Sequence, residues 1–263
     1  MNRSRHPNQK GRVPLERALS KLGLASRTEA RVLIESGKVK VHGSVERDPA
    51  RLVNPGTAHI EILGVKAVKQ DTRVILLHKP KGVVTTKRDP EGRRTIYDLL
   101  PEALQHFHPV GRLDMHTTGL LLLTNDTRLS SFLTDPGNAV PRTYVVGVEG
   151  EVTPAEELRI LEGVIDDGDL LKAGAVAVEK RSGKESLLVL TLTEGKNREI
   201  RRLCLALGHE VRMLKRIRFG NYELGDLAPG TWCEADPASA PDVPAAGLRE
   251  GKNPESGKGG TES

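Results

Sequence analysis

Between Val110 and Asp126 the chain reads VGRLDMHTTGLLLLTND, the segment whose residue types most directly suggest chemistry. A base, Arg112, and an acid, Asp114, stand between Gly111 and Gly119, just ahead of four consecutive leucines. Such a leucine run bounded by turn residues predicts a buried strand. Asp114 therefore sits at the mouth of a strand, where backbone is held rigidly and a carboxylate can be partly desolvated. That placement suits covalent or acid–base chemistry. The same residues also allow a structural role, with Asp114 pairing with Arg112 or capping a turn.

A second concentration lies at 195–220. There Lys196, Arg198, Arg201, Arg202, Arg212, Lys215, Arg216 and Arg218 face only Glu199 and Glu210. That excess of cations has the character of a polyanion site. On an expected strand Val211–Phe219, alternation sets several of these charges opposite an apolar face.

The elements that must position these groups follow from pattern. Pro14 opens a helix carrying Leu15, Ala18, Leu19 and Leu22 on one face, with a break at Gly23. Ser26-Arg27-Thr28-Glu29 reads as a capping box for a second helix that buries Ala30, Leu33 and Ile34 and closes at Gly37. Short strands follow at Val39–Val41 and Ile60–Leu63. Further on, strands are expected at Val74–Leu77, at Val83-Val84-Thr85 after the Pro80-Lys81-Gly82 turn, and at Leu120–Leu123, Tyr144–Val148, Leu170–Val178 and Leu187–Leu192. A helical turn is expected near Thr95–Leu100. Helices are expected after Asp126, after the capping box Thr153-Pro154-Ala155-Glu156, and at Arg198–Leu207 with Gly208 as its stop. Many strands with a few helices predict an α+β fold. The expected division is a basic arm at 1–12, a small module at 13–66, a linker at 67–72, a larger domain at 73–235 and a Pro/Ala/Gly-rich tail at 236–263.

Of the 263 residues 37% are hydrophobic, enough for a core, while aromatics make up only 3%. No stretch of about 18 apolar residues is present, and the basic start MNRSRHPNQKGR leads into no apolar signal core. The expectation is a cytoplasmic monomer without membrane association. Cys204 and Cys233 lack CxxC spacing, so neither a metal site nor a disulfide is expected, and Cys204 falls on an apolar helix stripe as a buried thiol. Residues 1–70 carry 14 Lys/Arg against six Asp/Glu, an excess larger than the +5 of the whole chain. A basic end of this kind points to nucleic acid.

Several of these segments resemble known families. The arrangement LxxALxxLGLASRTEARVLIESGKVKVHG is similar to the alpha-L RNA-binding module first known from small-subunit ribosomal protein four. The resemblance implies a basic helix-pair face, here Arg17, Lys21, Arg27, Arg31 and Lys38, that would neutralise and position on phosphates rather than read bases. GRLDxxTTGLLLLTND resembles the catalytic motif of the RsuA/RluB-type pseudouridine synthases, which modify ribosomal RNA. Thr118 stands where many members have Glu. HKPKGV resembles their NKPxG entry, with His78 for Asn; RTYV resembles their KxYxV; and EGKNREIRR resembles their EGxNRQxRR, with Glu199 for Gln. The segment LAPGTW fits the family's ending.

This resemblance implies a mostly antiparallel mixed-sheet catalytic domain behind the RNA-binding one. It implies Asp114 as the catalytic carboxylate, kept ionised by Arg201, and Tyr144 against the target base with Leu214 beneath it. Arg112, Lys196 and Arg198 would complete substrate binding. Ribosomal RNA, free or within a subunit precursor, is the implied partner. The large-subunit 23S molecule is favoured over 16S because HKPKGVVTT…DPEGRRTIYDLLP looks more like the RluB branch. No cofactor or metal is implied. The competing expectations are an RNA-binding factor without catalysis and a synthase acting on transfer RNA.

Overall fold

The computed structural model describes residues 11–25, 27–66, 71–236 and 239. Ser26, most of the arm and linker, and nearly all of the tail lie outside these residues, so the Ser26 cap is not among them. A short strand β1 (Val13–Pro14) leads into helix α1 (Leu15–Lys21), with Pro14 at its N-cap. Gly23, at φ +74, turns the chain toward α2 (Arg27–Glu35). Leu15, Leu19 and Ile34 are fully buried, each worth about 1.5–3 kcal/mol of hydrophobic stabilisation. They pack on a small antiparallel sheet of β2 (Val39–Val41), β3 (Ser44–Glu46), β5 (Ile60–Ile62) and β6 (Val65–Lys66), in the order β3-β2-β5-β6. Strand β4 (Leu52–Val53) pairs with β1.

The larger sheet has the order β13-β14-β10-β15-β9-β7-β17. In chain order its strands are β7 (Val74–Lys79), β8 (His108–Pro109), β9 (Thr118–Thr124), β10 (Arg142–Glu149), β13 (Ala175–Arg181), β14 (Glu185–Leu192), β15 (Val211–Phe219), β16 (Tyr222–Glu223) and β17 (Trp232–Ala235). A hairpin, β11 (Val164–Asp166) and β12 (Asp169–Leu171), stands apart from it. Helices α3 (Thr127–Thr134), α4 (Pro154–Glu162) and α5 (Glu199–Ala206) cover the sheet. Asp126 caps α3 by accepting from the Arg128 and Leu129 amides at 2.8 and 3.4 Å. The expected box at Thr153 and Glu156 caps α4. Both caps satisfy amides that the helix cannot pair itself. The architecture is α+β, a mostly antiparallel mixed sheet behind a small helix–sheet module. Among the described residues no helix is long and apolar enough to cross a membrane.

Two expected strands are corrected. Val83–Thr85 forms no strand, only a single bridge between Val84 and Thr95, because side chains take its ladder positions: the Lys79 amine takes the Val83 carbonyl, and the Thr85 hydroxyl bonds Leu113. The run Leu170–Val178 is broken, with β12 ending at Leu171 and β13 starting at Ala175. Between them the Ala173 amide turns to the Ile160 carbonyl and the Gly174 amide to that of Thr191.

The small module rests on the large one: α1 meets α3, Gly23 lies against the Asn125 carbonyl, and Lys87 pairs with Glu29. Within the large sheet one junction is parallel, β15 beside β9, with Lys215 opposite Thr118 and Arg216 opposite Gly119. Gly119 has φ +100, and a Cβ there would lie 2.2 Å from the Arg216 carbonyl oxygen. Gly119→Ala is therefore expected to destabilise the fold by roughly 2–4 kcal/mol, through left-handed strain and overlap together. An unchanged urea midpoint would contradict this.

Candidate active site

The loop from Val110 to Thr117, between β8 and β9, is pinned on both sides of Asp114. The Val110 amide bonds the Leu122 carbonyl at 2.8 Å, and the Gly82 amide bonds the Met115 carbonyl at 2.8 Å. The Thr117 amide closes a turn onto the Asp114 carbonyl at 3.0 Å. The Thr85 hydroxyl donates to the Leu113 carbonyl at 2.7 Å and accepts from the Leu113 amide at 3.3 Å. Backbone bonds thus hold the loop while the Asp114 side chain stays exposed. A carboxylate presented in this way is preorganised without being buried.

Asp114 opens onto a cleft of about 490 Å3. All seven residues expected to bind or transform substrate line it: Asp114, Arg112, Tyr144, Lys196, Arg198, Arg201 and Leu214. Tyr144, half-buried on β10, faces Leu190 of β14 and Arg216 of β15 across a bulge. Its ring packs against two hydrophobic clusters, one of which contains Leu214. In register Leu214 lies opposite Val146, two pairs further along than Tyr144.

Arg201, on α5, makes no ion pair with Asp114 among the described contacts. Its guanidinium donates to the Val211 carbonyl at 3.1 Å and the His116 carbonyl at 3.4 Å. Burial and the nearby Arg198 charge pull its pKa down, and the Asp114 charge opposes them. Lys196 bonds the Leu170 carbonyl at 2.7 Å and pairs with Glu194 at 2.6 Å, which raises its pKa. Arg198 adopts a left-handed φ of 48° at the N-cap of α5, and both it and Arg112 are exposed on the rim.

Four buried polar residues stand around the cleft; Lys79, Arg142 and Glu199 escaped sequence reasoning as site groups, and Arg216 was expected only as one charge of the 195–220 cluster. Lys79 is wholly buried, donating to the Val83 carbonyl at 2.7 Å and the Pro80 carbonyl at 3.1 Å. Burial pulls its amine down to about 8, against the pull of Asp114. Arg142 donates to the carbonyls of Glu194 at 2.7 Å, Thr193 at 3.4 Å and Leu133 at 2.9 Å. Arg216 is 2% exposed. Glu199 accepts from the Lys196 amide at 3.1 Å, and burial raises its pKa. The signals for them were membership of the motifs HKPKG, RTYV and EGKNREIRR and, for Arg216, of the 195–220 basic cluster; a buried cation looks like a surface one in a string of letters. Cys204 is buried as expected, its thiol pushed up to about 12 by desolvation and so unreactive. Among the described residues no group of three His, Cys, Asp or Glu side chains is gathered to hold a metal ion.

The basic face of the small module is partly in place as expected. Arg17, Arg27, Arg31 and Lys38 are exposed, although Arg31 also bonds Glu16 at 2.9 Å. Lys21 is half-buried, and its pKa is lowered by burial and by the charges of Arg17 and of Arg128 on α3. Positive charge therefore continues from one module onto the other.

Comparison with known proteins fits both halves. Residues 73–206 match the family described as RNA pseudouridylate synthase, and residues 13–58 match the S4 domain. An uncharacterized RNA pseudouridine synthase of Aquifex aeolicus is 38% identical over 84% of this chain and 90% of its own. The ribosomal large subunit pseudouridine synthase B of Bacillus subtilis is also 38% identical, over 85% of this chain and 92% of its own. A solved structure titled as a crystal structure of pseudouridylate synthase superposes with a TM-score of 0.61 at 26% identity, covering 87% of this chain and 98% of that one.

Lys79 yields a stability prediction. Its amine titrates near 8 when folded against 10.5 in the free side chain. Between those values the unfolded chain keeps a proton that the native state has shed, so unfolding free energy rises with pH there. Below about 8 the buried charge counts against the fold. The stability of the parent relative to Lys79→Met should therefore increase between about pH 7.5 and pH 10 in urea unfolding. A difference constant across that range would refute the assignment.

Proposed function

The chain belongs to the RNA pseudouridylate synthase family, and from that premise we propose that it isomerises one uridine of large-subunit (23S) ribosomal RNA, with Asp114 as catalytic carboxylate. As an RNA pseudouridine synthase it breaks the bond from ribose to nitrogen 1, turns the uracil and rejoins it through carbon 5. The carbon 5 proton is lost and nitrogen 1 gains one, so the reaction is balanced without redox change or net hydrolysis. What supports Asp114 is its exposed carboxylate on a loop with pinned backbone, opening onto a cleft that also holds Tyr144 and Arg201.

The uridine must leave its stack to reach such a carboxylate, at a cost of a few kcal/mol. Tyr144 offers an aromatic face for the extruded base. Arg112, Lys196 and Arg198 stand where they would meet the flanking phosphates. Asp114 acts as a nucleophile or as a base toward the ribose, two routes that share the same geometry. The S4 domain supplies RNA binding, and we assign its contacts to Arg17, Lys21, Arg27, Arg31 and Lys38. The choice of large-subunit RNA rests on similarity to relatives named for that subunit, in Bacillus subtilis and in Vibrio vulnificus at 37% identity.

Two measurements check this reading. Pseudouridine mapping of ribosomal RNA from a deletion strain should lose one 23S modification, restored by the parent gene and not by Asp114→Asn. In vitro that variant should turn over at least about a thousandfold more slowly; normal turnover with an intact fold would refute the assignment. Replacing Arg17, Arg27 and Lys38 together by Ala should weaken RNA binding and reduce the salt slope by about 2–3. An unchanged slope would place the RNA elsewhere.

A further inference from the structure

Arg216 has a bonding deficit that the nearby Arg142 lacks. It is 2% exposed, and its Nε donates to the Leu120 carbonyl at 2.8 Å. Its Nη2 is buried and has no hydrogen-bond acceptor among the described residues. A charged donor left unpaired in the interior carries its full desolvation penalty. Arg142, whose guanidinium also lies 4.8 Å from the centre of the Phe219 ring, shows the contrast: it spends its donors on three carbonyls. Arg216 lines the same cleft as Asp114 and stands opposite Tyr144 in the β10–β15 register.

We propose that Arg216 hydrogen-bonds a carbonyl oxygen of the extruded uracil and so positions the base for isomerisation. The inference rests on the reading of this cleft as the active site. The exposed rim cations suit phosphates, while the buried Arg216 lines the cleft opposite Tyr144, the position offered to the base. Uracil carries two carbonyl acceptors, at positions 2 and 4. Cytosine carries an amino group at position 4, which would turn N–H bonds toward a donor already lacking an acceptor. A buried donor matched to a substrate oxygen discriminates strongly for this reason. Where the bonded oxygen is that at position 4, Arg216 contributes to selecting uridine; the position 2 oxygen is common to both bases.

The test uses the full chain and RNA oligonucleotides spanning the uridine identified by mapping. The target position carries uridine, 2-thiouridine or 4-thiouridine, or is followed by a methylphosphonate. Single-turnover rates are compared for the parent, Arg216→Met and Arg216→Gln, with thermal unfolding to check each fold. Gln keeps an amide donor for the Leu120 carbonyl and carries the comparison if Met does not fold. The parent should react roughly 10–100-fold more slowly on one thiouridine, because sulfur is the weaker acceptor. The Arg216 variant should be slowed similarly on uridine and show no further loss on that thiouridine. A variant as fast as the parent, or one that keeps the full thio penalty, overturns the proposal. Loss of the methylphosphonate penalty instead would mean that Arg216 holds a phosphate, and would also overturn it. Asp114→Asn, assayed alongside, separates the two readings: turnover by that variant refutes Asp114 as catalyst whatever Arg216 does.

Discussion

The backbones of β9 and β15 run parallel for two residue pairs only, and at Gly119 they come closer than any side chain would allow. On one side of this contact lies the cluster built from β10, β14 and α5, and on the other the cluster built from β7, β9 and the Thr95–Phe107 region; a further cluster joins β9 and α3 to Phe219 at the end of β15. The strands on either side feed the cleft from opposite directions. Asp114 arrives on the loop before β9, while Arg201, Leu214 and Arg216 arrive on α5 and β15. The separation between carboxylate and cations is therefore set by how closely these two strands meet. A side chain at position 119 would wedge the halves apart and move Asp114 relative to Arg201 and Arg216.

The electrostatics of the cleft follow from what its cations are bonded to. Lys79, Arg142, Arg201 and Arg216 donate to main-chain carbonyls, whereas Lys196 on the rim also pairs with Glu194. Elsewhere Arg73, Arg202, Arg212 and Arg218 meet carboxylates. A carbonyl satisfies a donor without cancelling its charge, so the cleft keeps a positive field in a poorly screened setting, where charge acts over a longer range. Glu199 is the buried acid of the cleft wall, and desolvation weakens its charge. The field favours an arriving polyanion. Ion pairs on the outer surface, by contrast, add little to stability.

Much of this was legible because it depends on local rules. The Leu15/Ala18/Leu19 stripe, the Thr153–Glu156 box, the Asp126 cap and the leucine strand each follow from spacing, and each forms as expected. The cleft's lining was legible only through motif resemblance, since Asp114 and Tyr144 lie thirty positions apart and Arg201 a further 57. What escaped was decided by tertiary competition. Val83–Thr85 has strand-like residues, but Lys79 and Thr85 use the bonds a neighbouring strand would have used. The path of Arg201 to the Val211 and His116 carbonyls, rather than directly to Asp114, depends on the fold around α5 and leaves no mark in composition.

The outer strand β17 has a consequence for how the molecule comes into being. It pairs with β7 from Trp232 opposite Leu77 to Ala235 opposite Val74, and the Gly230 amide and Thr231 carbonyl bond both sides of His78. The strand that ends in Lys79 is thus completed by residues some 150 positions later in the chain. Contacts so distant in sequence must close a long loop before they repay it, and they form late. During synthesis the helix–sheet module can fold while β7 still lacks one flank. A chain still emerging from the ribosome would have its helix–sheet module in place before the strand that ends in Lys79 had its outer partner.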